Sequence, residues 1–193
     1  MGALFLASGA WEAARISARF GAAHPNVGMT ILSRTSVEIL QMIDDLTVDA
    51  GISYLDNEPL GRVSTVRLYD ERYMLVCAEG SPLALQDRVG WADLAGHRLC
   101  LLTSDMQNRR IINRNLIEAG VVPQATVESS STVVLVAHVL EGGWITILPE
   151  DIAAFLTEGK PLRMIPLDGA GASHAVGLVA PWREPHTPVL EAL

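Results

Sequence analysis

The sequence contains few residues of the kinds that build metal or disulfide sites. Only two of its 193 residues are cysteine, and the five histidines are scattered along the chain. Cys77 and Cys100 both lie in apolar runs, where a thiol packs as a small hydrophobic side chain. We therefore expect two buried free thiols, no metal, no cofactor and a reducing, cytoplasmic compartment.

Basic residues are also scarce. The chain has 14 lysines and arginines against 22 aspartates and glutamates, which gives a formal net charge of −8. A surface that binds the phosphate backbone of DNA or RNA needs clustered positive charge. Direct nucleic-acid binding by this chain is therefore not expected.

Long hydrophobic runs are absent. No apolar stretch approaches the roughly 20 residues that a transmembrane helix requires, and the short apolar patch at residues 3–7 lacks the basic flank of a secretion signal. We therefore expect a soluble protein with no membrane contact. Because the chain enters apolar sequence almost directly after Met1, its start is typical of a truncated domain.

Catalytic motifs are missing as well. The sequence has no His-Glu-x-x-His, no Gly-x-Ser-x-Gly and no phosphate-binding P-loop. Gly169 and Gly171 open a dinucleotide-like pattern, but His174 stands where the third glycine is needed. The sequence therefore predicts that the chain is not an enzyme.

What the chain does have is enough apolar sequence to fold, with 49% hydrophobic residues and a mean hydropathy of +0.28. In the first part, short apolar runs alternate with amphipathic segments, as expected of βα units. The predicted strands are residues 3–7, 27–32 and 48–53, with helices at 12–23 and after a Thr35-x-x-Glu38 capping box.

The second part repeats this pattern after a continuously apolar strand at residues 73–78. Its predicted strands are 99–102, 125–128 and 144–148, its helices 109–119, 133–140 and 152–156, and its extended segments 162–167 and 175–180. We expect an α/β fold of two Rossmann-like subdomains joined by two crossover strands. The predicted subdomains are residues 1–77 with 170–193, and residues 78–169.

Several motifs occur in an order that resembles one family. They are Arg19-Phe20-x-x-x-His24-Pro25-x-Val27, Thr35-Ser36-x-x-Ile39-Leu40, Val48-Asp49-Ala50-Gly51-Ile52, Glu71-x-Tyr73-Met74-Leu75-Val76, Ser81-Pro82-Leu83-Ala84 and Gly142-Gly143-Trp144-Ile145-x-Ile147-Leu148-Pro149. Together they resemble the effector-binding (substrate-binding) domain of LysR-type transcriptional regulators, which is similar in fold to type 2 periplasmic binding proteins. The sequence departs from the family pattern at Ser81, where a histidine is usual, and at Trp144, where a second glycine is usual.

The resemblance implies a function for the chain. It implies a regulatory domain that binds a small molecule in the cleft between the subdomains and thereby controls transcription by the parent protein. The predicted helix N-termini, the hydroxyl side chains and Arg109 favour a small organic anion as this molecule. The winged helix-turn-helix that binds DNA in this family would precede residue 1 and is absent from this chain. A homodimer or homotetramer is implied, with antiparallel pairing through the helices at 12–23 and 109–119. The alternative is a periplasmic-type solute-binding receptor, which shares this fold but needs a secretion signal.

In such a fold the ligand lies beyond the carboxyl ends of strands, near helix N-termini. The small polar and apolar residues at those positions are the predicted effector contacts: Ser8, Thr35, Ser36, Thr103, Asp105, Met106, Ser129 and Ser130. Alternatives stay open for several of them. One of Thr35 and Ser36 is expected to cap a helix, and Met106 is either a core residue or a pocket wall.

Two further features need a local explanation. Arg109 and Arg110 stand near the start of a helix, where a cation opposes the helix dipole, so either an anionic ligand or an Asp105 partner is expected. Trp11 and Trp144 are interpreted as core or interface residues rather than ligand contacts.

Overall fold

The structure is a computed structural model that describes residues 2–6, 9–56, 59–169 and 173–182. It divides into two compact units, one containing the chain up to Asp70 and from His174 onward, the other running from Glu71 to Ser173. The predicted boundaries differ, lying after residues 77 and 169. The first boundary between the units lies earlier than predicted because a single strand, Val63–Ala78, spans it. This strand is exposed along most of its first half and buried from Tyr73.

The first unit holds three parallel strands and two helices. Its elements are β1 (Gly2–Leu6), α1 (Ala10–Ala23), β2 (Met29–Ser33), α2 (Ser36–Asp44), β3 (Ala50–Tyr54), the start of β4 (Val63–Ala78) and β10 (Ser173–Pro181). The sheet order is β2-β1-β3-β10-β4. Strands β1, β2 and β3 are parallel, whereas β10 returns antiparallel to β3.

Helix α2 is fixed to this sheet by its apolar face. Ile39 and Ile43 are fully buried and pack with Val48 and Val179. Gly51 of β3 allows this approach, because a Cβ at that position would collide with Ile39. The close helix-to-sheet contact holds the N-terminus of α2 at the carboxyl edge of the parallel strands.

The second unit contains the rest of β4 and the remaining elements. They are β5 (Val89–Gly90), β6 (Leu99–Leu102), α3 (Gln107–Glu118), β7 (Ala125–Ser129), α4 (Thr132–Glu141), β8 (Thr146–Pro149), α5 (Glu150–Thr157) and β9 (Leu162–Asp168), with 3-10 turns at Pro82–Leu85 and Trp91–Leu94. Strand β4 pairs antiparallel with β8 and β9, and β6 pairs parallel with β7. Its core includes Val76, Cys100, Leu135 and Leu148.

The predicted α/β class and two-unit organisation are confirmed, and the element ends shift by a few residues. Helix α3 begins at Gln107 rather than at residue 109, and β8 begins at Thr146 rather than at 144. The start of β4, residues 63–70, was missed because its side chains are mostly polar or exposed and give no apolar run. No helix in the described ranges is both long and apolar enough to cross a membrane.

Candidate functional site

Five of the predicted contact residues lie at one edge of the second unit. Strands β6 and β7 are parallel, and their register pairs Leu102 with Ser129, so the two strands end together. Helix α3 begins soon after β6, and α4 soon after β7. This geometry brings two short segments to the same edge, residues 103–107 and 129–132, which we call the second-unit edge. The predicted contacts on it are Thr103, Asp105, Met106, Ser129 and Ser130.

Neither helix that starts at this edge has a side-chain cap. Met106 precedes α3 and Ser131 precedes α4, and the side chain of neither residue accepts a hydrogen bond from the first turn. The first N–H groups of a helix have no partner inside the helix and carry a partial positive charge. The second-unit edge therefore presents donors suited to an anion.

The predicted residues at this edge are placed differently from one another. Thr103 is half-buried, and its carbonyl oxygen accepts the N–H of Met106 at 3.1 Å. The Ser129 hydroxyl accepts the N–H of Ser131 at 3.1 Å, whereas Ser130 is exposed. Met106 is half-buried and packs against the core of the second unit. Within the part of the chain that the structure describes, the hydroxyls of Thr103 and Ser130 form no hydrogen bond with the protein.

Arg109 is held by the protein itself. Its side chain is only 4% exposed. Its Nε donates to Asn113 Oδ1 at 2.8 Å, and one terminal nitrogen donates to the Leu102 carbonyl at 2.5 Å and pairs with Glu128 Oε1 at 2.9 Å. The two explanations offered from the sequence, an anionic ligand or Asp105, are thus corrected. The partner of Arg109 is Glu128, and the guanidinium joins β6, α3 and β7.

Arg110 is the residue that contacts Asp105. One of its terminal nitrogens donates to the backbone carbonyl of Asp105 at 2.7 Å, and its Nε donates to Gln107 Oε1 at 2.8 Å. The contact uses the backbone of Asp105 rather than its carboxylate. The two arginines therefore order the loop between β6 and α3.

Two buried asparagines on α3 were not singled out from the sequence. Asn115 donates from Nδ2 to the Ile111 carbonyl at 3.1 Å. Asn108, in the first turn, is 7% exposed, and its Oδ1 has no hydrogen-bond partner in the part of the chain that the structure describes. Both share a helix face with Ile111 and Ile112, since residues at i, i+3, i+4 and i+7 align. The sequence signal that could have identified the two asparagines is the presence of polar side chains within the apolar face of α3.

In the first unit, three parallel strands also end together. Leu6 pairs with Ser33 and with Ile52, so the loop before α2 lies at this edge. The predicted cap is confirmed as Thr35, whose hydroxyl accepts the N–H of Glu38. Ser36 is 2% exposed. Ser8, the remaining predicted contact, lies outside the described residues.

The two tryptophans differ in their surroundings. Trp144 donates from Nε1 to Thr126 Oγ1 at 3.0 Å and packs against the second-unit core. The Arg98 guanidinium lies 3.8 Å from its ring centroid, in a cation–π contact. Trp11 is 40% exposed, so it is not a core residue. Trp144 therefore has a structural environment, and Trp11 lies on the surface.

The thiols are buried and free, as predicted. Burial raises the pKa of Cys77, and it raises the pKa of Cys100 to about 11. At neutral pH both therefore remain thiols, and the reactive thiolate is scarce. Among the described residues, no group of three or more potential ligands could hold a metal ion.

Comparison with protein families decides what kind of domain this is. Residues 7–193 match the family described as the LysR substrate binding domain. The chain belongs to this family. The LysR substrate-binding domain is regulatory rather than catalytic, so membership of this family confirms the prediction that the chain is not an enzyme. The alternative prediction, a periplasmic-type solute-binding receptor, is not favoured.

Individual relatives agree with the family. The HTH-type transcriptional regulator YfeR of Shigella flexneri is 30% identical over 139 residues, which cover 72% of this chain and 44% of YfeR. This chain therefore spans less than half the length of that relative. Among solved structures, the effector-binding domain of QuiR in complex with shikimate has a TM-score of 0.84 at 18% identity, covering all of this chain and 91% of that one. The effector-binding domain of a BenM variant has a TM-score of 0.82 at 16% identity, covering 99% and 89%. These two likenesses show the fold.

Proposed function

We propose that this LysR-type effector-binding domain senses a small organic anion, held at the second-unit edge, for a longer regulator that binds DNA through a helix-turn-helix. The observation that carries the proposal is the meeting of two uncapped helix N-termini, those of α3 and α4, at the ends of β6 and β7. Small polar side chains stand between them.

The chemistry of this edge favours a carboxylate. Backbone N–H groups at the two helix starts donate to its oxygens, and the helix dipoles favour its charge. The Thr103 hydroxyl adds a donor that rotates to suit the ligand. Arg109 does not bind the carboxylate in this proposal, because Glu128 neutralises its charge. Its role is to hold the ends of β6 and β7 together.

The other predicted contacts form a second part of the proposal. Asp105, Met106, Ser129 and Ser130 lie on the second-unit edge, where Met106 supplies an apolar surface. Ser8, Thr35 and Ser36 stay predictions from the sequence that the carboxylate site proposed here does not require, since the Thr35 hydroxyl already caps α2. Shikimate, the compound in the QuiR complex, is a hydroxylated carboxylate and thus supports the ligand class without identifying this chain's ligand.

DNA binding is assigned to the longer protein. The relatives are named HTH-type regulators, and this chain covers 44% and 31% of two of them. Its own charge of −8 opposes direct contact with DNA phosphates. A ligand alters regulation only if it binds two conformations of that protein with different affinity. We place the protein in the cytoplasm, in keeping with its two free thiols.

We also propose antiparallel pairing of two copies through α1 and α3, as dimers or as pairs within a tetramer. Apolar side chains are exposed on or beside these helices, namely Trp11 and Ile31 in the first unit and Ile117 and Val122 in the second. Sedimentation should show at least a dimer, and Ile117→Glu should shift it to monomer. Only monomer at high concentration of the unchanged chain would contradict the pairing.

The ligand proposal is tested by thermal unfolding in the presence of a panel of small carboxylates that includes shikimate. A ligand that binds only the folded state raises the apparent Tm. We expect at least one panel member to do so, and Thr103→Ala to abolish or strongly reduce that rise. Thr157→Ala, which removes a hydroxyl bonded to the Ala153 carbonyl at the end of α5, is the control and should keep it. An unchanged rise in Thr103→Ala, or no rise with any carboxylate, would contradict the proposal.

A further inference from the structure

The acidic side chain of Glu128 lies beside the second-unit edge. Glu128 is in β7 and directly precedes Ser129 of that edge. Its Oε1 lies 2.9 Å from a terminal nitrogen of Arg109, and the same nitrogen donates to the Leu102 carbonyl. The carboxylate is therefore within a few ångströms of the peptide bond that joins Leu102 to Thr103, the residue whose hydroxyl serves the proposed carboxylate site.

The two members of this ion pair differ in their exposure to solvent. The side chain of Arg109 is 4% exposed, whereas that of Glu128 is 46% exposed. The positive charge is thus enclosed by the protein, and the negative charge that neutralises it partly faces solvent. An anion that approaches this edge from solvent meets the Glu128 carboxylate rather than the Arg109 guanidinium.

The side-chain charges at this edge give no net attraction for an anion. Within residues 103–110 and 128–132, the charged side chains are Asp105, Arg109, Arg110 and Glu128, whose formal charges sum to zero. The remaining positive potential comes from the N-termini of α3 and α4, each equivalent to roughly half an elementary charge. Together these two helix starts compensate one ligand charge, and a second ligand charge stays uncompensated.

We propose that Glu128 limits the ligand of the second-unit edge to carboxylates that carry a single negative charge. The role of Glu128 rests on the proposed function, which assigns the ligand carboxylate to this edge. A second anionic group on the same ligand is repelled by the Glu128 carboxylate. Repulsion of the wrong ligand is a general source of specificity. The ligand class thus narrows to monocarboxylates, and dicarboxylates and phosphate esters are disfavoured.

Matched acids of one and two charges test this role by calorimetry on the intact chain. The pairs are butanoate with succinate, hexanoate with adipate, and benzoate with isophthalate, at a pH where both carboxyls of each diacid are ionised. We expect the monoacid of at least one pair to bind at least about tenfold tighter than its diacid. Added sodium chloride should reduce this ratio, because salt screens the repulsion.

Variants separate a charge effect from a structural one. Glu128→Gln should lower the ratio by at least about threefold, mainly by strengthening the diacid. The double variant Arg109→Gln with Glu128→Gln removes both charges and should return the ratio toward that of the unchanged chain. A purely structural ion pair would instead weaken both acids equally in both variants. Glu118→Gln, at an exposed position at the other end of α3, is the control and should leave the ratio unchanged.

Two kinds of failure are distinguishable. Diacids that bind as tightly as their monoacids, or a ratio that Glu128→Gln leaves unchanged, would overturn the role of Glu128 while leaving the carboxylate site in place. Absence of binding by every monoacid would overturn the proposed function and the role of Glu128 with it. If Glu128→Gln does not fold, the salt dependence decides, and a ratio that does not change with salt would contradict the repulsion.

Discussion

Helix α2 of the first unit begins differently from helices α3 and α4 of the second unit, whereas α1 begins after Gly9 without a side-chain cap. In the first unit, the Thr35 hydroxyl accepts the N–H of Glu38, and the Glu38 carboxylate accepts the N–H of Thr35 at 2.9 Å, so the first turn of α2 is closed by a capping box. In the second unit, α3 and α4 begin after Met106 and Ser131 without any side-chain cap. The donors at the start of α2 are thus partly used within the protein, whereas no side-chain cap uses those at the starts of α3 and α4.

This difference ranks the start of α2 below the starts of α3 and α4 for anion binding. Glu38 brings a negative charge to the first turn of α2, which opposes a second anion there. The second-unit edge combines two helix starts that lack a side-chain cap with small polar side chains. A serine or threonine before a helix therefore indicates an anion site only if the hydroxyl does not itself close the helix.

The largest expected effect comes from breaking the framework of the second-unit edge. Arg109→Met removes three contacts of a buried guanidinium and should lower the free energy of unfolding by about 2 to 3 kcal/mol. Urea unfolding measures the change. Arg163→Met, at an exposed position, is the control and should change stability by less than about 0.5 kcal/mol. Equal effects of the two variants would show that Arg109 does not hold this edge together.

The next effect concerns β6, the strand that leads to the second-unit edge. Because burial raises the pKa of Cys100 from 9.0 to about 11, the folded state keeps a proton that the unfolded state releases between these values. Stability should therefore fall as pH rises from 9 to 11, by up to about 2 kcal/mol from this thiol. Cys100→Ala should flatten the fall, measured by urea unfolding at several pH values. Identical pH slopes in both proteins would contradict the burial argument.

Removing the cap of α2 tests whether the first unit takes part in carboxylate binding. Thr35→Ala should lower the free energy of unfolding by about 1 kcal/mol, because the N–H of Glu38 loses its acceptor. Thr65→Ala, at an exposed position of β4, should have little effect. Carboxylate affinity, measured by calorimetry, should stay unchanged in Thr35→Ala. A large loss of affinity would instead assign the anion to the first-unit edge.

The smallest stability effect, and the most informative for binding, comes from adding a cap to α4. Ser131 has the extended backbone of a capping residue, so Ser131→Asp should close the first turn and raise stability by about 0.5 kcal/mol. It should also weaken carboxylate binding by about tenfold, because its charge occupies the ligand's position. Ser131→Asn is the matched neutral variant and should weaken binding less. If Ser131→Asp bound the carboxylate with unchanged affinity, the ligand would not lie at the start of α4.

The sequence was sufficient for most of the fold because apolar periodicity and capping signals act locally. The Thr35-x-x-Glu38 box predicted the start of α2, and the run at 73–78 predicted the buried half of β4. Residues 63–70 gave no such signal, since a mostly exposed strand is defined by its pairing with neighbours rather than by its own pattern.

The candidate site was less readable from the sequence. Strand order placed Thr103 and Ser129 at one edge, as parallel strands require. The partner of Arg109 was not readable, because Glu128 is 19 positions away along the chain and is brought near only by the β6–β7 register. Side-chain pairing across strands depends on tertiary packing, which a single sequence does not specify.

The most direct test of the central claim is a backbone amide NMR titration with the carboxylate that stabilises the chain most. We predict that the amide signals at the starts of α3 and α4, residues 107–109 and 132–134, move most and saturate together. The amides at the start of α2, residues 36–38, should move little. If the amides of α2 moved while those of α3 and α4 stayed in place, the second-unit edge would not be the anion site.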